Sequence, residues 1–396
     1  MSDTKSRIWG LDLMRATAII FVLVFHWLAI NLNGVEYSDI VYYSSILGYL
    51  GVEFFFVLSG FLIGGILIKL YVNEKFTLTT IWHFWIKRWL RTLPLYYSIL
   101  LVYLLYAQVK HIHISGVWKY VLFVQNFFEY NTHNNDFYGV SWSLAIEEWF
   151  YLSFPLILYI THLLLNKSMS SRKIIFITII LYLALPLCER LYLAYLSDDI
   201  SWKSVFRKAV VCREDSIAFG VLGSFLFVYA KDKIYHNKLV FFVFGSTILI
   251  FCSLIFIQEV AKDYFYNTGG VSIFSKTLLF SLVNFGILFM LPFFYYTTTT
   301  SNLFSLCISY VSKISYSLYL NHMLVLLFVN KLLKFFISTQ SSIYLYCNVV
   351  LFIVFSFLLS SLTYKYIEQT FLKLRDKIWN DKYKIIAIRK EPALPR

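Results

Sequence analysis

Long apolar stretches recur along the whole chain, and each is close to the length that crosses a lipid bilayer. A helix needs roughly 20 predominantly apolar residues to span the hydrocarbon core. The ten stretches of this kind are residues 11–32, 43–68, 92–107, 144–165, 174–196, 209–230, 239–258, 273–296, 311–333 and 343–366. A shorter stretch, 117–128, is predicted to be an interfacial or re-entrant segment. The pattern predicts an all-α polytopic membrane protein with about ten transmembrane helices.

The composition excludes most alternatives to a membrane protein. Of the 396 residues, 59% are hydrophobic and 14% are charged, and the mean hydropathy is +0.67. Soluble domains carry about 25% charged residues, so this chain cannot cover itself with a water-compatible surface. It is also too apolar to be disordered. The five cysteines are odd in number and none has metal-ligand spacing, so neither a disulfide scaffold nor a bound metal is predicted.

The positive charge of the chain, +13 in total, indicates an orientation in the membrane rather than a nucleic-acid partner. With a cytoplasmic N-terminus, the predicted loops place 23 Lys and Arg residues on the cytoplasmic side and 10 on the other. Basic residues accumulate in cytoplasmic loops, so both termini are predicted to be cytoplasmic. No cleavable signal peptide is predicted. We expect a transmembrane domain over residues 1–370 and a basic cytoplasmic tail over 371–396 that lies against anionic lipid.

The first predicted span contains two ionisable residues, Arg15 and His26, which are eleven positions apart. Eleven helical steps end only about 20° beyond three full turns, so the two side chains share one face and lie about 16 Å apart along the axis. One interpretation is that the guanidinium binds an anion while the imidazole acts deeper in the membrane. The other is an interfacial Arg paired with lipid phosphate and a His hydrogen-bonded to a neighbouring helix.

A second basic group, Lys87, Arg88 and Arg91, lies near the inner end of the third span. Arg88 and Arg91 are neighbours on one helix face and could bind phosphates in a bidentate manner. The alternative for these residues is plain anchoring of the helix end at the cytoplasmic interface.

Two adjacent acids occur in the segment SWSLAIEEWFY (141–151), which opens the fourth span. Ser143 followed by Glu147 is typical of a helix start, where the helix dipole favours acids. That structural role explains one acid but not both, because neighbours in a helix point about 100° apart and one must face the bundle. Glu53, Arg213 and His322 are further ionisable residues in predicted spans, and each taken singly is more often structural than catalytic.

Seven segments of the chain resemble the signature of the membrane acyltransferase-3 family, in the order in which that family has them. They are LDLMRATAIIFVLVFH (11–26), GVEFFFVLSGFLI (51–63), KRWLRTLPLYY (87–97), SWSLAIEEWFY (141–151), REDSIAFG (213–220), ISYSLYLNH (314–322) and YKYIEQTF (364–371). The chain departs from the pattern at Leu13, where Gly is common, at Glu53, where Asp is usual, and at Lys87, where Arg is usual. It also has Gln369-Thr370 in place of the typical proline after the acidic residue. The family's soluble hydrolase-like extension is not in the sequence, so a stand-alone enzyme is expected.

The resemblance implies an integral-membrane O-acyltransferase of the bacterial cytoplasmic membrane. It would transfer an acyl group, commonly acetyl, from cytoplasmic acyl-CoA to a hydroxyl of a cell-surface or lipid-linked glycan, with no permanently bound cofactor. By this analogy the basic residues Arg15, Lys87, Arg88 and Arg91 hold the donor, and His26 is the catalytic base. Glu147 is the candidate to orient the ring of His26, and the supporting candidates are Glu53, Ser143, Arg213, Tyr316 and His322.

Two questions stay open from the sequence. Direct attack by the acceptor and a route through an acyl-imidazole on His26 are both compatible with these residues. A polysaccharide exporter would also carry buried charges and about ten spans, and an inactive membrane sensor or assembly partner is a third class. Many transporters contain internal repeats, and the sequence shows none, which argues against the exporter.

Overall fold

The structure is a computed structural model that describes residues 7–32, 38–73, 76–128, 137–196, 200–266, 270–299, 302–339 and 341–378. These residues are mostly helical, and no strand occurs among them. Helices α1 to α13 are, in order, Trp9–Asn31, Ser38–Asn73, Leu78–Val109, Val117–Val121, Ser141–Leu165, Ser171–Leu196, Glu214–Tyr229, Lys231–His236, Lys238–Ile255, Lys262–Tyr266, Ile273–Tyr296, Leu303–Leu333 and Ser342–Thr363. Short turns of other helical types are Trp202–Phe206, Val210–Cys212, Phe256–Ala261 and Tyr364–Glu368.

Within this described part of the chain, nine helical stretches are long and apolar enough to cross a membrane. Each overlaps one predicted span, so the prediction of an all-α polytopic membrane protein is confirmed. The tenth predicted span, 209–230, differs because its helix, α7, begins only at Glu214 and has 16 residues. A helix of that length covers about 24 Å, less than the roughly 30 Å hydrocarbon core.

The segment 117–128 contains only the short helix α4, in agreement with the prediction that it does not span. At the other end of the chain, α13 continues through Tyr364–Glu368 to Ile378. The helix thus includes residues 371–378 of the predicted tail. The rest of that tail lies outside the described residues.

Helix α7 packs closely on α2 through a pair of glycines. A Cβ atom on Gly60 of α2 would overlap the carbonyl group of Ile217, and one on Gly220 of α7 would overlap the carbonyl oxygen of Val57. Small residues at such a crossing let two helix backbones approach and gain van der Waals contact without a side chain between them. The two glycines therefore hold the short helix α7 inside the bundle.

Two buried ion pairs fix the start of α7. Arg213, immediately before the helix, places Nη2 2.5 and 2.7 Å from the carboxylate oxygens of Glu53 on α2. Arg190 on α6 lies 2.7 Å from Asp215, and all four side chains are at most 1% exposed. Charges buried at this depth are costly unless they are paired and hydrogen-bonded. The chain turns at Val210–Cys212 immediately before Arg213, so the α-helix predicted from residue 209 begins only at Glu214.

The long helices define two ends of the bundle. At one end, here called the arginine end, α1, α3 and α12 begin and α2 and α5 finish; the opposite end is called the histidine end. Thr77 and Asn302 cap α3 and α12 at the arginine end, each accepting a hydrogen bond from a backbone N–H three residues later. These caps explain locally why both helices start well before the apolar stretches predicted at 92 and 311.

Candidate active site

A cavity of about 350 Å³ lies among α1, α2, α3, α5 and α12. Residues of α2 from Val52 to Ile66 line it, which corresponds to about 21 Å along the helix axis. The space is therefore long and narrow, and it runs parallel to the helices. Six of the predicted site residues line it, namely Arg15, Arg88, Arg91, Ser143, Glu147 and Tyr316. These residues come from four different helices and are up to 301 positions apart in sequence, so only the fold brings them together.

The arginine end of the cavity is strongly basic. The described lining of the whole cavity includes three arginines, and Glu147 is the one acidic residue in that lining. Arg15 contacts Ser312 at 3.4 Å and Asp12 at 3.6 Å, but Asp12 already forms a 2.7 Å ion pair with Arg7. The acid nearest to Arg15 is thus shared with a second guanidinium. The excess of positive charge favours an anionic ligand at this end.

Stacking and hydrogen bonds position the basic helix α3. The guanidinium of Arg88 lies over the ring of Tyr151, with its central carbon 4.5 Å from the ring centroid. Tyr316 of α12 donates a hydrogen bond of 2.8 Å to the carbonyl oxygen of Thr92. These contacts couple α3 to α5 and α12 at the level of the cavity. Lys87, the other predicted donor-binding residue, is not among the lining residues.

The two adjacent acids of α5 have different surroundings. Glu147 lines the cavity, and its Oε2 accepts hydrogen bonds from Tyr151 at 2.6 Å and from Ser59 at 3.3 Å. Glu148 is buried and accepts a 2.7 Å hydrogen bond from Thr92. The sequence predicted that one of the two acids faces the bundle interior. In the structure both do, because Glu147 faces the cavity and Glu148 faces α3.

His26 lies beside a second histidine near the histidine end of the bundle. Its Nδ1 is 2.9 Å from the carbonyl oxygen of Val22 and 3.3 Å from Nε2 of His322. The ring centroids of the two histidines are 5.0 Å apart, and His322 is completely buried while His26 is half-buried. His322 also places Nδ1 3.2 Å from the carbonyl oxygen of Leu318.

The contacts with backbone carbonyl groups favour one tautomer for each neutral imidazole. A carbonyl oxygen only accepts, so Nδ1 of His26 donates to Val22 and Nδ1 of His322 donates to Leu318. The one Nδ1–H of His26 is then shared between the carbonyl oxygen of Val22 and Nε2 of His322 in a three-centre hydrogen bond, which leaves Nε2 of His26 without a proton in this tautomer. The described contacts of the Glu147 carboxylate are with hydroxyl groups, so its predicted role in orienting His26 stays a prediction.

Helix α12 connects the cavity to the histidine pair. Tyr319 lines the cavity, its hydroxyl is 2.6 Å from that of Ser143, and its ring centroid is 5.9 Å from that of His322. Tyr319, Ser59 and Tyr151 were missed by the sequence analysis. Tyr319 lies one helical turn before His322 in the segment 314–322, and that spacing was the available signal.

Three predicted supporting residues lie outside the cavity lining. Glu53 and Arg213 are engaged in the buried ion pair described above, and His322 contacts His26. In the ranges that the structure describes, no group of three or more potential metal ligands occurs.

Comparisons with known proteins find relatives that match most of this chain. A relative from Staphylococcus aureus strain MRSA252, which bears the provisional name of an O-acetyltransferase, is 29% identical over 400 residues. That match covers 94% of this chain and 59% of the relative. "O-acetyltransferase OatA" of S. aureus strain NCTC 8325 is 28% identical over 389 residues, covering 91% of this chain and 56% of OatA. The chain thus spans less than two thirds of the length of these relatives.

No solved structure matches the chain. The family model described as "Acyltransferase domain", that of the acyltransferase-3 family, matches residues 8–364. This range contains Arg15, His26, Arg88, Glu147 and His322, the residues around which the cavity and the histidine pair are built. With nearly the whole chain matched, the protein belongs to the acyltransferase-3 family, as the seven sequence segments had indicated.

Proposed function

We propose that this protein is an integral-membrane O-acyltransferase that moves an acyl group, most simply acetyl, from acyl-CoA to a hydroxyl of a cell-surface or lipid-linked glycan. Coenzyme A enters as a substrate and leaves as the free thiol, so no resident cofactor is needed. We place the protein in the bacterial cytoplasmic membrane with both termini in the cytoplasm. In this orientation the arginine end faces the cytoplasm, where acyl-CoA is available.

The observation that carries the proposal is the narrow cavity with three arginines at one end and the histidine pair beyond the other. Coenzyme A is an anionic nucleotide with a long, thin pantetheine arm that ends in the thioester. Arg15, Arg88 and Arg91 supply the charge that its phosphates require. The axial separation of about 16 Å between Arg15 and His26 suits the arm, so phosphates at the arginine end would direct the thioester toward His26.

In the proposed reaction, Nε2 of His26 removes the proton of the acceptor hydroxyl as its oxygen attacks the thioester carbonyl carbon. A carbon–oxygen bond forms, the carbon–sulfur bond breaks, and the departing thiolate takes the proton back from His26. The imidazolium formed in between is stabilised through its Nδ1–H, which His322 accepts. Donor phosphate binding is thus assigned to one end of the cavity and proton transfer to the histidine pair beyond the other end.

The experiment is thiol release by the purified full chain, measured with acetyl-CoA in the presence and absence of cell-surface glycan. His26→Ala is expected to abolish glycan-dependent release because the base is lost, and Arg15→Ala because donor binding fails. The matched controls are His236→Ala and Arg172→Ala, which change exposed residues away from the cavity and should retain activity.

Full activity of His26→Ala would refute the assignment of the base. If acetyl-CoA fails, longer acyl-CoA donors are tested in the same assay. Failure with every donor, combined with glycan transport by vesicles that contain the protein, would refute the transferase and favour the exporter that the sequence left open.

A further inference from the structure

A second and larger cavity, about 920 Å³, lies at the histidine end of the bundle. It is bounded by α3, by residues 112–125, and by α12 and α13. Its lining is mostly apolar and includes Val102, Tyr106, Leu327, Phe328, Phe355 and Leu362. All of these except Phe355 are more than 40% exposed in the bundle, so the cavity is an open groove on the membrane-facing side. Its size is that of a binding site for a ligand of several hundred daltons.

The lysines are the charged residues of this groove. Lys119 of α4 and Lys331 of α12 both line it, and none of its described lining residues is acidic. Both lysines belong to the histidine end, where the apolar lining gives way to the loop 112–125. An apolar groove with two cations at its rim is complementary to a lipid whose headgroup is anionic.

The groove begins next to the histidine pair. Along α12, Tyr316 and Tyr319 line the cavity of the candidate active site, and His322 contacts His26. The next two residues, Met323 and Leu324, line the groove. Lys331 follows His322 by nine residues, about 13 Å along the helix. On the opposite wall, the side-chain amide of Gln125 donates to Ser141, the first residue of the helix that bears Glu147. A ligand in the groove is therefore held beside the reaction centre.

We propose that this groove binds the lipid anchor of the acyl acceptor, a phosphate-bearing lipid that carries the glycan. The inference rests on the proposed function for the identity of the glycan cargo. The apolar chain lies between α3, α12 and α13, and the phosphate lies between Lys119 and Lys331. The attached sugars then extend over the short distance to His26. Anchoring the acceptor in this way raises its effective concentration at the base.

The test uses the full chain in phosphatidylethanolamine vesicles with a photoactivatable polyprenyl phosphate as the probe. We expect adducts concentrated on residues 323–331 and 355–362. Unlabelled polyprenyl phosphate should compete about tenfold better than phosphatidylglycerol. Combined Lys119→Gln and Lys331→Gln substitutions should reduce labelling about tenfold, because charge-assisted contacts to phosphate are lost. The matched control combines Lys110→Gln and Lys334→Gln, which neutralise exposed lysines outside the groove.

Three outcomes would overturn the inference: adducts spread evenly over all membrane-facing helices, equal competition by phosphatidylglycerol, or full labelling of the double lysine variant. The second would mean that bulk membrane lipid occupies the groove. Labelling requires no turnover, so His26→Ala should label like the wild type. Loss of thiol release with specific labelling would refute the proposed function alone, whereas turnover without specific labelling would refute this inference alone.

Discussion

The histidine pair allows a direct test of how His26, the proposed base, is positioned. Nε2 of His322 is 3.3 Å from Nδ1 of His26, and His322 is completely buried. A hydrogen bond to a charged group contributes about 1.5–3 kcal/mol, and it strengthens here when His26 carries the proton. Losing that acceptor should lower kcat roughly 10- to 150-fold. The KM for acyl-CoA should change little, because the arginines proposed to bind the donor line the cavity, whereas the histidine pair lies outside its lining.

Two amide substitutions separate the acceptor from the bulk of the ring. The side chain of Gln places an acceptor near the position of Nε2, whereas that of Asn reaches only the position of Nδ1. We therefore expect His322→Gln to retain most of kcat and His322→Asn to lose it, as measured by initial rates of thiol release. Wild-type kcat in His322→Asn would refute the positioning role. Equal loss in both variants, with unchanged melting temperature, would show that ring packing matters and hydrogen-bond acceptance does not.

Two further predictions concern the basic cavity and the buried ion pair. Arg88→Ala should raise the KM for acyl-CoA about tenfold or more, and Arg88→Lys should restore little of the affinity. The reason is that a planar guanidinium can both stack on Tyr151 and bind phosphate in a bidentate manner, which a lysine ammonium cannot. An unchanged KM in steady-state assays would contradict this explanation. Arg213→Met should destabilise the fold by about 3–5 kcal/mol by leaving Glu53 buried and unpaired, seen as a lower melting temperature. The double variant that adds Glu53→Leu should recover much of that loss, and a double variant as unstable as the single one would contradict the explanation.

The fold class was readable from hydropathy because the membrane imposes a simple rule on sequence. Backbone polar groups must be satisfied within each span, so a run of about 20 apolar residues is already a helix prediction. The rule misjudged the segment 209–230, where apolar content alone suggested a full span. There Arg213 pairs with Glu53, a residue 160 positions away, and the α-helix that follows extends only over Glu214–Tyr229.

The candidate site, too, was predictable from the sequence only in part. Sequence patterns identified Arg15, His26, Arg88, Arg91 and Glu147, because ionisable residues in apolar surroundings are conspicuous and helical spacing assigns them to faces. Patterns within one helix contain no information about which other helix lies opposite. Hence the sequence offered Glu147 to orient His26, which stays a prediction, but it gave no sign that His322 of α12 lies against the ring of His26.

The sequence by itself thus determined that the chain is a helical membrane protein, which of its residues are chemically conspicuous, and which family it resembles. Those properties are local, since hydropathy, helical spacing and motif order are all read along one segment at a time. Only the tertiary structure decided that three arginines share one narrow cavity, that Glu53 and Arg213 form an internal ion pair, and that a lysine-rimmed apolar groove adjoins His322. Each of these depends on contacts between helices far apart in the chain, which packing and the cost of burying unpaired charge select together.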